Sequence, residues 1–232
     1  MIRKPLLKAW KQVFGCLRQG GQKCSYLIIG LVFILLNTWL FGALAEDIIR
    51  RDSLTLYDPY IGEWLLNHTS TAGDHIFYTI TLLGSFSVVE TVVIAFGLWL
   101  VLKKRWPQLV TLLTAVSGGT LLNLILKSMF SRPRPNFTNA LYHETSYSFP
   151  SGHTMTAVFA YGIIAYLIAS FVKNSKWRVV LYAAAVLLAL VIGLSRIYLG
   201  VHYLTDVLGG WAAGSAWLFS CILVTKTLKM LE

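Results

Sequence analysis

Residues 103–135 read KKRWPQLVTLLTAVSGGTLLNLILKSMFSRPRP. Three cations, Lys103, Lys104 and Arg105, are followed by nineteen residues, Gln108 to Leu126, without a single charge. A second basic group, Lys127, Arg132 and Arg134, then follows. About 20 mostly apolar residues are what a helix needs to cross a bilayer. An uncharged run of that length between two basic brackets is therefore read as a membrane span, and the brackets lie at its two faces.

Working outward, the same test predicts five further spans. They run from Tyr26 to Leu44, from about Thr81 to Leu102, from Thr154 to Val172, from Val179 to Ser195 and from Tyr203 to Thr225. The composition agrees. Of 232 residues 56% are hydrophobic and 13% charged, against roughly a quarter charged in ordinary soluble domains. The predicted fold class is all-α, a bundle of six transmembrane helices at 26–232 preceded by a basic segment at 1–25. The first apolar run lacks a small-residue cleavage site, so a span is expected there and not a cleaved leader.

Six spans put both termini on one side. That side collects fourteen of the twenty Lys and Arg residues, in the N-terminal segment (Arg3, Lys4, Lys8, Lys11, Arg18, Lys23), two turns and the C-terminal end. By the positive-inside rule it is the cytoplasm. The net charge of +10 then reflects inner loops facing anionic lipid, and no nucleic-acid partner is expected. In the long outer loop, Leu54–Leu66 mixes aromatic and acidic residues and reads equally as an interfacial helix or a plain covering loop. The three cysteines, Cys16, Cys24 and Cys221, have no metal-site spacing and are expected to be free thiols.

The polar residues of the spans are grouped. Lys127, Arg132 and Arg134 end the third span, and Ser151, Gly152 and His153 open the fourth. Ser195 and Arg196 end the fifth, and His202 and Asp206 open the sixth. Because successive spans alternate direction, all four ends meet at the outer face. Ionisable groups at such depth point to function. Lys127, Arg134 and Arg196 suit an anion of more than one charge. The start of the fourth helix offers backbone N–H groups to the same anion. Asp206 follows His202 by four residues, hence on one helix face. It can accept the proton of one ring nitrogen and free the other for attack, while His153 serves as acid and base. A metal site built on His153, His202 and Asp206 would lack further protein ligands and would face three cations. Arg132 is read as a secondary phosphate contact. Glu90, well inside the second span, is read as a structural residue of the bundle, and Asn123 as support for Lys127 or an interhelical hydrogen bond.

Lys127, Arg134 and Pro135 match K-x6-R-P. Residues 150–153 match P-S-G-H, and Ser195, Arg196, His202 and Asp206 match S-R-x5-H-x3-D. In this the chain resembles the type 2 phosphatidic acid phosphatase superfamily, which also includes glucose-6-phosphatase and the vanadium haloperoxidases. The resemblance implies an integral membrane lipid phosphatase without cofactor or metal. His202 would form a phosphohistidine, Asp206 would orient it, and His153 would protonate the leaving oxygen and then activate water. Lys127, Arg134, Ser151, Gly152 and Arg196 would hold the phosphoryl oxygens. The implied partners are the bilayer and a phosphorylated lipid: phosphatidylglycerophosphate, phosphatidic acid or undecaprenyl diphosphate. The expected location is a bacterial inner membrane, with the site facing the periplasm or exterior. Two alternatives remain at this point: a lipid phosphotransferase, and a transporter that only binds the headgroup.

Overall fold

The computed structural model describes residues 22–52, 54–137, 142 and 144–231. Nearly all of the basic segment 1–25 lies outside the described residues, as do Cys16, the side chain of Cys24, and His143. The described residues form helices and connecting turns only. Eight helices follow in chain order: α1 Gln22–Arg50, α2 Leu54–Leu66, α3 Thr71–Leu82, α4 Phe86–Leu102, α5 Trp106–Phe130, α6 Gly152–Ala169, α7 Ser175–Tyr198 and α8, whose last residue is Leu231 and whose first is Leu204. Five of them (α1, α5, α6, α7, α8) are long and apolar enough to cross a membrane. The pair α3–α4, bent by 44°, makes a sixth when taken as one broken span.

That break corrects the second predicted span. The sequence reading starts it at Thr81, whereas helix begins at Thr71 and is interrupted at 83–85. Gly84 sits at the break because a side chain there would collide with Ile192 and press on His153. Ser85 restarts the chain as an N-cap, its hydroxyl accepting from the Val88 N–H at 3.4 Å, which satisfies a donor the helix leaves open. Of the two readings offered for Leu54–Leu66, the helix is the one observed. It is α2, with Asp58, Gly62 and Leu66 buried on one side and Tyr57, Tyr60 and Trp64 exposed on the other.

The central element is α6, more than half of whose span is buried. Apolar residues cover it on all sides, as expected of a helix enclosed by others, and Ala157–Tyr161 form a π-helical turn. Small residues let its neighbours approach. Gly119 of α5 lies against Phe159, and Gly214 of α8 against the Met155 carbonyl and Val158. α5 turns Leu112, Ala115, Gly119 and Asn123 inward, a stripe at three- and four-residue spacing. α1 is mostly exposed and lines up antiparallel to α8, with Phe33 on Phe219 and Phe41 stacked on Phe149. Glu90 is exposed on α4.

Candidate active site

Four helix ends and one loop build the site. α5 ends in a left-handed Ser131 (φ 44°), which turns the chain so that Arg132 and Arg134 follow Lys127 back over the bundle. The turn between α7 and α8 contains a left-handed Gly200 (φ 71°), and the N–H groups of Val201 and His202 both donate to the Arg196 carbonyl. His202 is thereby held at the entrance to α8, one turn before Asp206. α6 starts immediately after Ser151, whose N–H donates to the Asp206 carbonyl at 3.0 Å, locking the ends of α6 and α8 together.

His202 and Asp206 are buried. Asp206 Oδ2 faces His202 Nδ1 at 3.3 Å and also accepts the Tyr203 N–H at 2.9 Å and the Ser148 hydroxyl. The other ring nitrogen, Nε2, lies 3.2 Å from an Arg134 nitrogen. The ring is thus fixed on one side by a carboxylate and presents its second nitrogen to a cation. Burial lowers the His202 pKa to about 4 against the opposing pull of Asp206, with Arg134 and Arg196 adding to the depression. At neutral pH the imidazole is uncharged, the state a nitrogen nucleophile requires.

Arg134 and Arg196 share one partner. Glu144 Oε2 pairs with Arg134 at 2.6 Å and its Oε1 with Arg196. Burial alone would raise the Glu144 pKa, but Arg196 and Arg134 outweigh it and hold the carboxyl at about 2. Arg196 also donates to Thr81 at 2.7 Å, yet its Nε is buried with no partner among the described residues. A buried donor left unmatched costs free energy on the order of 1–3 kcal/mol, so the site favours an additional acceptor. Lys127 donates to the Tyr147 carbonyl and to Ser146 Oγ at 3.2 Å, and Arg134 also binds Ser146. The loop 144–148 therefore occupies the centre of the cation cluster.

His153 lies within electrostatic reach of Arg196, Glu144, His202 and Arg134. The Ser151 hydroxyl accepts from Thr154 at 3.0 Å, which leaves its proton free to donate. Gly152, at the first turn of α6, lies close to Asn123 and Lys127. All eight predicted site residues thus converge on one face of the bundle. Asn123 donates to Met155 Sδ at 3.3 Å, the interhelical bond of its two readings. Among the described residues no three His, Cys, Asp or Glu side chains are grouped to hold a metal ion.

One expectation fails. Arg132 does not point at the phosphate side of the cluster. It lies behind Asp206, 2.6 Å from Oδ1, and reaches Asp58 of α2 at 2.8 Å. Sequence reasoning also missed Glu144, Ser148, Thr81 and Asp58 as parts of the site. Glu144 and Ser148 sit in the loop between α5 and α6, where no helical periodicity marks a residue, Thr81 lies in the last turn of α3, and Asp58 lies in a helix read equally as a covering loop.

Residues 108–230 match the PAP2 superfamily. The chain is 35% identical over 171 residues to phosphatidylglycerophosphatase B of Bacillus subtilis, covering 73% of this chain and 78% of that protein. It is 30% identical to an undecaprenyl-diphosphatase of Sulfolobus acidocaldarius, covering 59% and 65%. Among solved structures it is similar to the transmembrane PAP2-type phosphatidylglycerolphosphate phosphatase of Bacillus subtilis, with a TM-score of 0.76 and 31% identity over 85% of this chain and 96% of that one. It also resembles Aquifex aeolicus LpxE, with a TM-score of 0.54 and 26% identity over 73% and 93%.

Proposed function

The chain belongs to the PAP2 superfamily of lipid phosphatases, and from that premise we propose that it hydrolyses a phosphomonoester or diphosphate lipid through a phosphohistidine on His202, without a metal, at the outer face of the membrane. The observation that carries this reading is the Glu144 carboxylate held between Arg134 and Arg196 beside His202 Nε2. It is an anion in the place where a phosphoryl group would be bound, and the unmatched Arg196 Nε is one more donor than a carboxylate uses.

In the proposed reaction the substrate phosphoryl group displaces Glu144. Lys127, Arg134, Arg196, the Ser151 hydroxyl and the Gly152 N–H hold its non-bridging oxygens. His202 Nε2 attacks phosphorus while its Nδ1–H keeps its proton and donates a hydrogen bond to Asp206, and the bond from phosphorus to the lipid oxygen breaks. His153 gives that oxygen its proton. His153 then takes a proton from water, the hydroxide attacks phosphorus, the N–P bond breaks and orthophosphate leaves. Fixed positive charge around the transferred group is the main source of acceleration in such a site.

The relatives' names support phosphatidylglycerophosphate or undecaprenyl diphosphate as substrate, and the motif resemblance adds phosphatidic acid. The basic N-terminal segment and inner turns support both termini in the cytoplasm, with the site facing the periplasm or exterior. Placement of the cluster at helix ends, and not at mid-membrane, favours catalysis over transport. The test is orthophosphate release from these three lipids in detergent micelles. Wild type should release it with a chelator present, and His202→Ala should lose at least about 10⁴-fold in kcat. Retained activity in His202→Ala would remove the nucleophile, lipid-to-lipid phosphate transfer without orthophosphate would identify a transferase, and loss of activity in chelator would bring in a metal.

A further inference from the structure

Arg132 is buried and its charge is shared between two buried carboxylates, Asp206 and Asp58. The carboxylates lie 148 residues apart in sequence. Asp58 is on α2, the outer helix, and has a dense set of partners. Its Oδ1 accepts the Thr205 N–H at 3.1 Å, and its Oδ2 accepts from Arg132 and from the Thr205 hydroxyl. The Thr205 oxygen in turn accepts from Arg132 at 2.7 Å. Asp58, Arg132 and Thr205 form a closed ring, and Asp58 caps the start of α8 from a different helix. The Tyr203 ring packs on the Arg132 guanidinium at 4.4 Å. This construction is too well matched to be an incidental surface pair, and among the described residues no hydrogen bond or ion pair joins it to Lys127, Arg134 or Arg196.

Its geometry bears on Asp206. The guanidinium takes Oδ1, which leaves Oδ2 for His202 Nδ1, Tyr203 N–H and Ser148. The carboxylate cannot rotate without breaking the charged bond. The electrostatics bear on it too. An Arg132–Asp206 pair alone would be neutral and would cancel the negative potential at the imidazole. Asp58 adds a second negative charge, so the three groups together keep a net charge of −1 beside His202.

We propose that Arg132 and Asp58 are positioning residues for the reaction: Arg132 clamps Asp206 in the rotamer that orients His202, and Asp58 offsets the Arg132 charge so that Asp206 still stabilises the cationic imidazole of the phosphoenzyme. The proposal rests on the reading of His202 as the nucleophile.

The experiment uses the full chain in detergent micelles with a short-chain phosphatidic acid, and compares wild type, Asp58→Asn, Arg132→Gln, the double variant, Thr205→Val and His202→Ala. The readouts are kcat, KM and the acidic limb of kcat/KM. The groups facing His202 are Asp206 and Arg134 in contact, with Arg196, Glu144 and His153 within electrostatic reach; all are unchanged in the first four proteins. Asp58→Asn should lower kcat about tenfold at unchanged KM and move the acidic limb down by about one pH unit, the size of one charge acting through a partly buried site. Arg132→Gln should move the limb up and also lower kcat. The double variant should return the limb to the wild-type position while kcat stays low, because Oδ1 remains unclamped. Thr205→Val conserves shape, and its several-fold loss of kcat at constant KM decides the matter should the charge variants fail to fold. A raised KM with kcat intact in Arg132→Gln would place Arg132 on the phosphate and overturn the proposal. So would lowered thermal stability with kcat and the limb unmoved. If His202→Ala keeps its activity, the reading beneath the proposal falls. If it is inactive while Asp58→Asn and Arg132→Gln match wild type, only the proposal falls.

Discussion

At the scale of single residues, Glu144 is the informative side chain. Its carboxylate lies between Arg134 and Arg196, so a phosphate bound to those two cations would have to displace it. Replacing it by Gln keeps the shape and removes the charge. Glu144→Gln should therefore bind the product more tightly, with inhibition by orthophosphate strengthened about tenfold, measured as the Ki against lipid hydrolysis. The pH dependence follows from His202. The ordinary value is 6.5 and burial takes it to about 4, so the acidic limb of kcat/KM, which reports the free enzyme, should lie near pH 4. For stability the sign is the same. Between pH 6.5 and about 4 the unfolded chain binds a proton that folded His202 refuses, so stability falls as pH drops through that window. Glu144, held at about 2 against an ordinary 4.5, contributes stability that is lost progressively as pH falls from about 4.5 to about 2. The motif residues were legible because each sits at a fixed helical spacing or helix end. Glu144 and Ser148 were not, because a loop has no period and their roles exist only once the loop crosses the cations.

At the scale of elements, the junction of α6 and α8 sets the site. A Cβ on Gly210 would stand 2.9 Å from the Ser151 carbonyl and 3.0 Å from Thr154 Cβ. Backbone cannot yield as a side-chain tip can. Gly210→Ala should therefore push α8 from the start of α6 at a cost of about 1–3 kcal/mol. It should reduce kcat more than it reduces thermal stability, because the displacement separates His202 from Ser151 and Gly152. Both quantities can be read on one detergent preparation by phosphate release and a thermal melt. The spans themselves were open to sequence reading, since uncharged length is decided by the bilayer alone. The α3–α4 break was not. Leu83, Gly84 and Ser85 carry no charge and leave the hydropathy pattern unbroken, and the bend is set by a contact with Ile192 and His153 on other helices.

At the scale of the whole molecule, one end of the bundle holds the polar cluster while the neighbouring interior is apolar. A cavity of about 600 Å³ between α1, α6, α7 and α8 is lined by Phe33, Val158, Tyr182, Trp211 and Leu218, with Lys226 at one end. The orientation drawn from the basic residues predicts that a cysteine at the exposed Tyr60 of α2 reacts with an impermeant thiol reagent added outside intact cells, and that one at Lys104 does not. Which lipid is hydrolysed was not legible, because the motif residues are of types that recognise a phosphate and none of them specifies a tail. If a phosphoryl group passes through His202, rapid acid-free quenching of wild type with a ³²P-labelled lipid will trap it on the protein. The expected result is an acid-labile, alkali-stable label on the peptide containing His202, which disappears on a chase with unlabelled lipid and is absent from His202→Asn. Steady turnover with no label on the wild-type protein, together with activity retained by His202→Asn, would contradict it.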